Sequence, residues 1–262
     1  ADISDRKRAE EALEYRAQKD NLLSRISEQF LNQDTDAGIH LALQATGEFM
    51  DCDRVYVFRY TDNHTKLTQT HEWCGQDVPS FIQDYQGVPI EVFPWFVQTI
   101  LKGKPFQVSS IAHLPDVAEA EKAELKRLTT QSLLIVPMQL TGLEVNQDVG
   151  FIGLDNVRSP RVWSQEEINL VRRVGALIAI AQAKYEAELA LRDSEARFAG
   201  ILDNADEAII SIDETQHITL FNQGAEKIFG YSQAEVLGQP LDILLPLRFI
   251  EDHHQHIKNF TQ

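Results

Sequence analysis

The run from Trp163 to about Ala205 constrains this chain most, because it reads as one long helix. Ser164 and Glu167 form an S-x-x-E capping box, and Trp163 and Ile168 flank it as a hydrophobic staple, so the helix start is well marked. No proline interrupts the run, and its glycines are Gly175 and Gly200. At 1.5 Å per residue such a helix is roughly 60 Å long, more than one small domain covers, so it joins two globular pieces. From Ile168 to Ala181 it is apolar almost all round, which predicts burial on two sides. Leu170, Val174, Leu177, Ala181, Tyr185 and Leu189 follow one another at spacings of 4, 3, 4, 4 and 4, a coiled-coil-like seam with a stutter. Beyond Gln182 the other faces turn charged. The first half of the helix is expected to cover its own domain, and the second half to pair in a parallel homodimer.

A chain of 262 residues agrees with about two domains, and 43% apolar with 24% charged residues is ordinary for a globular protein. The net charge of −16 argues against a nucleic-acid surface, which needs clustered Lys and Arg. Cys52 and Cys74 make neither a disulfide framework nor a CxxC pair, which favours a reducing, cytoplasmic setting. No apolar run reaches the roughly 18 residues of a membrane span, so no insertion is expected. Starting at ADISDRKRAE and stopping inside a helical pattern, the chain reads as a fragment of a longer protein.

Residues 1–20 are charged and rich in helix formers, a solvated linker helix. Leu22 to Phe30 continue helically, and Ile39, Leu43, Thr46 and Met50 mark a second amphipathic helix. The period then changes to two: DRVYVFRY (53–60) sets Val55 and Val57 on one face against Tyr56 and Phe58 on the other, and Lys66–Trp73 is a second strand. A loop-rich stretch with Gly75, Pro79, Gly87, Pro89 and Pro94 leads to a short helix at 95–101, a strand at 106–109 and a charged helical segment at 115–129. The apolar runs 132–140 and 148–157, around a turn near Gly142, complete an α+β domain with an antiparallel central sheet flanked by helices. After the long helix, 208–212 and 218–221 alternate as strands, and Ser232 with Glu235 forms another capping box.

THEWC (70–74), FPWF (93–96), SLLIVPM (132–138) and GFIGLDNVRSPRVWSQEE (150–167) resemble a GAF domain of bacterial multidomain sensor proteins. Phe198, Asp213, Asn222, Ala225, the Phe229-Gly230-Tyr231 triplet, Glu235, Gly238 and Pro246 resemble a PAS domain, although Gln216 stands where that family usually has glycine. The resemblance implies a linker helix from a preceding PAS-like domain (1–20), a GAF-like sensor domain (21–185), a connecting signalling helix (186–197) and a C-terminally truncated PAS-like domain (198–262). About three further strands would complete a PAS fold, so the last domain is expected to be mobile or completed by a partner. The parent would be a cytoplasmic signalling protein, a sensor histidine kinase by this resemblance or else a cyclic-di-GMP enzyme.

The resemblance also implies a small-molecule cavity walled by His71, Glu72, Trp73, Phe93, Trp95, Phe96 and His113, aromatic walls with a few polar groups being what a ligand site requires. The plain alternative is that the aromatics are core. A covalent bilin is not expected, since 105–131 contains no cysteine and Cys74 is followed by Gly75 rather than His. Haem in the PAS-like part would use His253 as its iron ligand; it is not expected, and no other metal is. No phosphate loop, nucleophile elbow, HExxH or kinase box occurs, so the fragment reads as non-catalytic. The acid pairs Glu121/Glu124 and Glu166/Glu167 read as helix surface without partners. The function read here is a sensory and dimerisation module relaying small-molecule or partner binding through the long helix. The alternatives are a ligand-free dimerisation spacer and a haem-based gas sensor.

Overall fold

The change from helical spacing to alternation after Met50 marks the start of the sheet. In the computed structural model, which describes residues 3–32, 34–141 and 146–260, the chain divides into two compact units, Ala1–Tyr185 and Glu186–Gln262. In the first unit, strands β1 (Arg54–Thr61), β2 (Lys66–Cys74), β3 (Val88–Pro89), β4 (Phe106–Val108), β5 (Ser132–Thr141) and β6 (Asn146–Asn156) form a six-stranded sheet. Its order is β3-β2-β1-β6-β5-β4, and every pairing is antiparallel. The helices of this unit are α1 (Ile3–Asn32), α2 (Thr35–Met50), α3 (Pro94–Ile100), α4 (Glu119–Arg127) and the start of α5 (Gln165–Asn204). The expected linker and the segment after it are thus one helix, α1. The expected turn near Gly142 lies outside the described residues.

Both faces of the sheet are buried. Val55 and Val57 of β1, Leu134, Val136 and Met138 of β5, and Ile152 and Leu154 of β6 pack with Leu22 and Ile26 of α1, Ile39 and Leu43 of α2, and Val171, Val174 and Ile178 of α5. Trp73 lies so close to α2 that a Cβ on Gly47 would come within 2.0 Å of its ring. Gly175 lets α5 approach the sheet: a Cβ there would stand 3.1 Å from Ile152 and from Met138. The residues of opposite parity, Phe58, Phe106, Leu133, Ile135 and Phe151, form a second cluster with Tyr85, Phe93, Phe96, Leu125 and Leu128. Strand alternation therefore yields an aliphatic face under the long helices and an aromatic face under α3, α4 and their connecting turns.

The start of α5 is capped as its sequence predicts. The Glu167 carboxylate accepts the Ser164 N–H at 2.7 Å, and the Ser164 hydroxyl accepts the Glu167 N–H at 3.2 Å. Trp163 and Ile168 are buried. Within the single chain α5 is buried on one side: Val171, Val174 and Ile178 are buried, whereas Asn169, Arg172, Arg173 and Ile180 are exposed. One apolar stripe is enough to dock the helix, and the sheet reaches only that stripe.

In the second unit, β7 (Ile210–Ile212) and β8 (Ile218–Phe221) pair antiparallel, followed by α6 (Gln223–Phe229), α7 (Gln233–Val236) and α8 (Leu247–Phe260). Ile218, Phe221, Ala225 and Val236 form its small core. Asn222 ties the unit together. Its Oδ1 accepts the N–H groups of Ile209 and Ala225 at 2.8 and 2.9 Å, and its Nδ2 donates to the carbonyls of Leu202 and Glu207 at 3.0 Å. Gln216 adopts φ +66°, the left-handed conformation that favours glycine, so the hairpin keeps its shape at some backbone cost.

Candidate functional site

On the aromatic face the side chains do not fill the space between the sheet and the covering helices. They leave a cleft partly open to solvent, in which the centre of a water-sized sphere has about 70 Å³ to occupy. Tyr56, Phe58, Phe106, Leu133, Ile135 and Phe151 form its floor, and Phe81, Tyr85, Phe93, Trp95, Phe96, Leu125 and Leu128 its walls. Rings meet edge to face at Trp95–Phe106 (centroids 4.9 Å apart) and at Phe58–Tyr85 (5.4 Å), while Phe58 stacks on Phe151 at 4.9 Å. These geometries favour aromatic pairs, and they hold the rings apart at fixed angles.

One end of the cavity is polar. Asp155 on β6 accepts from Arg54 Nη1, Tyr56 OH and Thr130 Oγ1, each at 3.0 Å. Arg54 also donates to the Pro79 carbonyl at 3.2 Å, and its Nε stands 3.6 Å from Glu72. The Arg54, Asp155 and Glu72 side chains are each no more than 3% exposed, so one guanidinium faces two carboxylates out of water. Burial, with Asp155 alongside, pushes the Tyr56 phenol well above its ordinary pKa, so it remains a neutral donor. Glu72 accepts the Phe81 N–H at 3.1 Å and the Ser80 hydroxyl. The guanidinium groups of Arg54 and Arg127 lie 4.9 and 5.1 Å from the Phe81 ring centroid. At the rim Arg127 pairs with Glu124 at 2.7 Å and with Asp84 at 2.8 Å, and Tyr85 donates to Glu124.

Of the seven expected wall residues, Glu72, Phe93, Trp95 and Phe96 line the cavity. His71, Trp73 and His113 do not. The reason at the first two is a bulge in β2. Phe58 pairs with Gln69 and Val57 with His71, so Thr70 is an extra residue. Leu67 and Gln69 face the cavity before the bulge and Glu72 after it, which sends His71 and Trp73 to the helix side. There His71 meets Asp36 of α2 at 3.4 Å. His113 ends a short exposed turn, Ile111–His113.

The reading of Glu121 and Glu124 as unpartnered surface is corrected: both line the cavity. Glu121 is 5% exposed, and its Oε1 accepts the Trp95 N–H at 2.6 Å. The signal was present, since Ala118, Glu121, Leu125 and Leu128 stand at spacings of three, four and three and share one buried helical stripe. Glu167 likewise pairs with Arg161. Of the expected seam, Leu170 and Val174 are buried in the first unit's own core, Leu177 and Ala181 are half-buried, and Tyr185 and Leu189 are each 41% exposed. His253 is half-buried in α8.

The GAF domain family matches residues 34–182, which include the whole sheet and every cavity-lining residue, and the PAS fold matches residues 196–260. The chain belongs to the GAF domain family. Its GAF domain is followed by a PAS domain, the arrangement of a signal-transduction sensor. The methanogenesis regulatory histidine kinase FilI of Methanothrix harundinacea is 29% identical over 61% of this chain and 18% of its own length. The sensor protein FixL of Bradyrhizobium diazoefficiens is 30% identical over 37% of the chain and 19% of its own length. The chain thus spans about a fifth of these curated relatives. The phycocyanobilin-bound GAF domain of a cyanobacterial phytochrome superposes with a TM-score of 0.53 at 15% identity, covering 65% of this chain and 96% of that one. The biliverdin-bound JSC1_58120g3 superposes with a TM-score of 0.52 at 16% identity, covering 63% and 99%. Both support the GAF fold. No helix among the described residues is long and apolar enough to cross a membrane.

Proposed function

We propose that this segment is a non-catalytic, cytoplasmic sensory module. A small molecule binds in the GAF cavity, and the response passes along α5, in a parallel homodimer, towards a histidine kinase output. One observation carries the reading. Strand β6 turns Phe151 and Asp155 into the cavity while its neighbours Ile152 and Leu154 pack in the cluster that holds α5. A ligand that shifts those cavity residues biases the packing of Val171, Val174 and Ile178 through a single strand. This requires the ligand to prefer one packing over the other.

The ligand in this reading is held without a covalent bond. No cysteine lines the cavity. Burial pushes the Cys52 thiol up to about 12 and the Cys74 thiol up to about 11, away from the thiolate that adds to ligands. For the homodimer the support is the exposed apolar residues of α5, among them Ile180, Tyr185, Leu189 and Leu191.

Cysteines placed at Ala181 or Tyr185 test the relay. Cross-linking across the dimer should change when a bound compound fills the cavity. Unchanged cross-linking with a bound compound would favour the spacer. Replacing Tyr185 with Asp should shift the chain from dimer to monomer in light scattering while the first unit keeps its melting transition. A monodisperse dimer in that variant would place the seam elsewhere.

A further inference from the structure

We propose that the cavity is built for an apolar molecule carrying a protonated amine, with Glu121 as its counter-ion. The proposal rests on the cavity being a ligand site, and adds the chemical class.

Among the described residues, the other carboxylates around the cavity each have a cation within 4 Å, Glu121 being the exception. Arg54 faces Asp155 and Glu72, and Glu124 faces Arg127. Among the described residues, Glu121 has neither a cation nor a full set of donors. Its Oε1 is served by the Trp95 N–H, whereas its Oε2 is buried and has no hydrogen-bond partner among the described residues. A buried carboxyl oxygen left unpaired is costly, and natural sites keep such a group where something else completes it. The cavity that Glu121 lines also carries Trp95, Phe96 and Phe106 in its wall, rings whose faces attract cations. An ammonium N–H satisfies Oε2, matches the charge and lies among aromatic faces, while its carbon skeleton covers Leu133 and Ile135. An alcohol of the same skeleton satisfies only the hydrogen bond. A carboxylate satisfies nothing and is repelled.

The test titrates the whole 262-residue chain by calorimetry near neutral pH. The probes are phenyl, naphthyl and indolyl ethylamines, with the alcohols and carboxylates of the same skeletons. At least one amine should bind about tenfold or more tightly than its alcohol, and its carboxylate should not bind, since a hydrogen bond to a charged group is worth a factor of this order. Glu121→Gln should abolish the amine's advantage and leave the alcohol within about threefold, the scale of an uncharged hydrogen-bond change. Leu133→Phe, which narrows the cavity, should weaken every probe. An alcohol binding as well as its amine, or an amine unaffected by Glu121→Gln, would overturn the amine class while leaving a ligand cavity standing. Failure of every skeleton with every head group would overturn both, and Oε2 would then be a site for water alone. Because the head-group ranking is read on the unaltered chain, a Glu121→Gln variant that fails to fold leaves the test decisive.

Discussion

The helix side and the cavity side of the GAF sheet are built from alternate residues of the same strands, yet they pack differently. On the helix side Val55, Val57, Val136, Ile152 and Leu154 are fully buried against helices that run close to the sheet. On the cavity side large rings held edge to face, and a cluster of paired charges at one end, leave open space. Branched aliphatic side chains interdigitate over a pleated surface, whereas rings fixed by their mutual geometry and by Asp155 cannot collapse into the gap. The difference teaches that one sheet can anchor helices on one face and hold a cavity open on the other, with strands β1, β5 and β6 common to both.

The largest test of this contrast removes the polar brace of the cavity side. Asp155→Ala leaves Arg54 buried without its carboxylate and strips Tyr56 and Thr130 of their acceptor. Breaking a buried pair from one side costs about 3–5 kcal/mol, so urea unfolding of the first unit should shift by that amount. A shift below about 1 kcal/mol, the range of exposed pairs, would show that water reaches this cluster.

Next in size is a pair of enlargements on opposite faces of β5. Val136→Phe forces a ring into the helix side, where overpacking costs about 1–3 kcal/mol. Leu133→Phe places a ring on the cavity side, where space exists, and should stay within about 0.5 kcal/mol of the unaltered chain, as for substitutions without strain. Equal costs in denaturant melts would mean that the cavity side is packed as densely as the other.

Much of the frame was legible because short-range chemistry set it. The Ser164–Glu167 box, the Val55/Tyr56 alternation and the apolar runs of β5 and β6 each follow from residues a few positions apart. The site was legible only in part. Phe93, Trp95 and Phe96 announced themselves as aromatics in an irregular stretch, but Arg54 and Asp155 lie 101 residues apart and are joined only by the pairing of β1 with β6. The extra residue at Thr70 leaves no mark in THEWC, because period-two reasoning carries a face straight through a bulge. Glu121 was passed over as a charge on a helix surface although its spacing to Leu125 and Leu128 placed it on the buried stripe.

The smallest test concerns that bulge. His71 lies on the helix side, with Asp36 at 3.4 Å and His40 nearby, and burial holds its imidazole below the ordinary histidine value against the pull of Asp36. Unfolded histidine takes up its proton near pH 6.5, so below that pH the unfolded chain binds more protons than the folded one. The stability of the first unit should therefore be fully present above pH 6.5 and decline as the pH falls towards the lower folded value, and His71→Gln should flatten that decline. A His71 resonance that titrates above 6.5 would mean that Asp36 outweighs burial. With an amine probe bound, the Trp95 indole resonance should move and the His71 ring resonances should not, since the sheet lies between them. Shifts of equal size at both would put His71 in the cavity and remove the bulge at Thr70 that sets it on the other face.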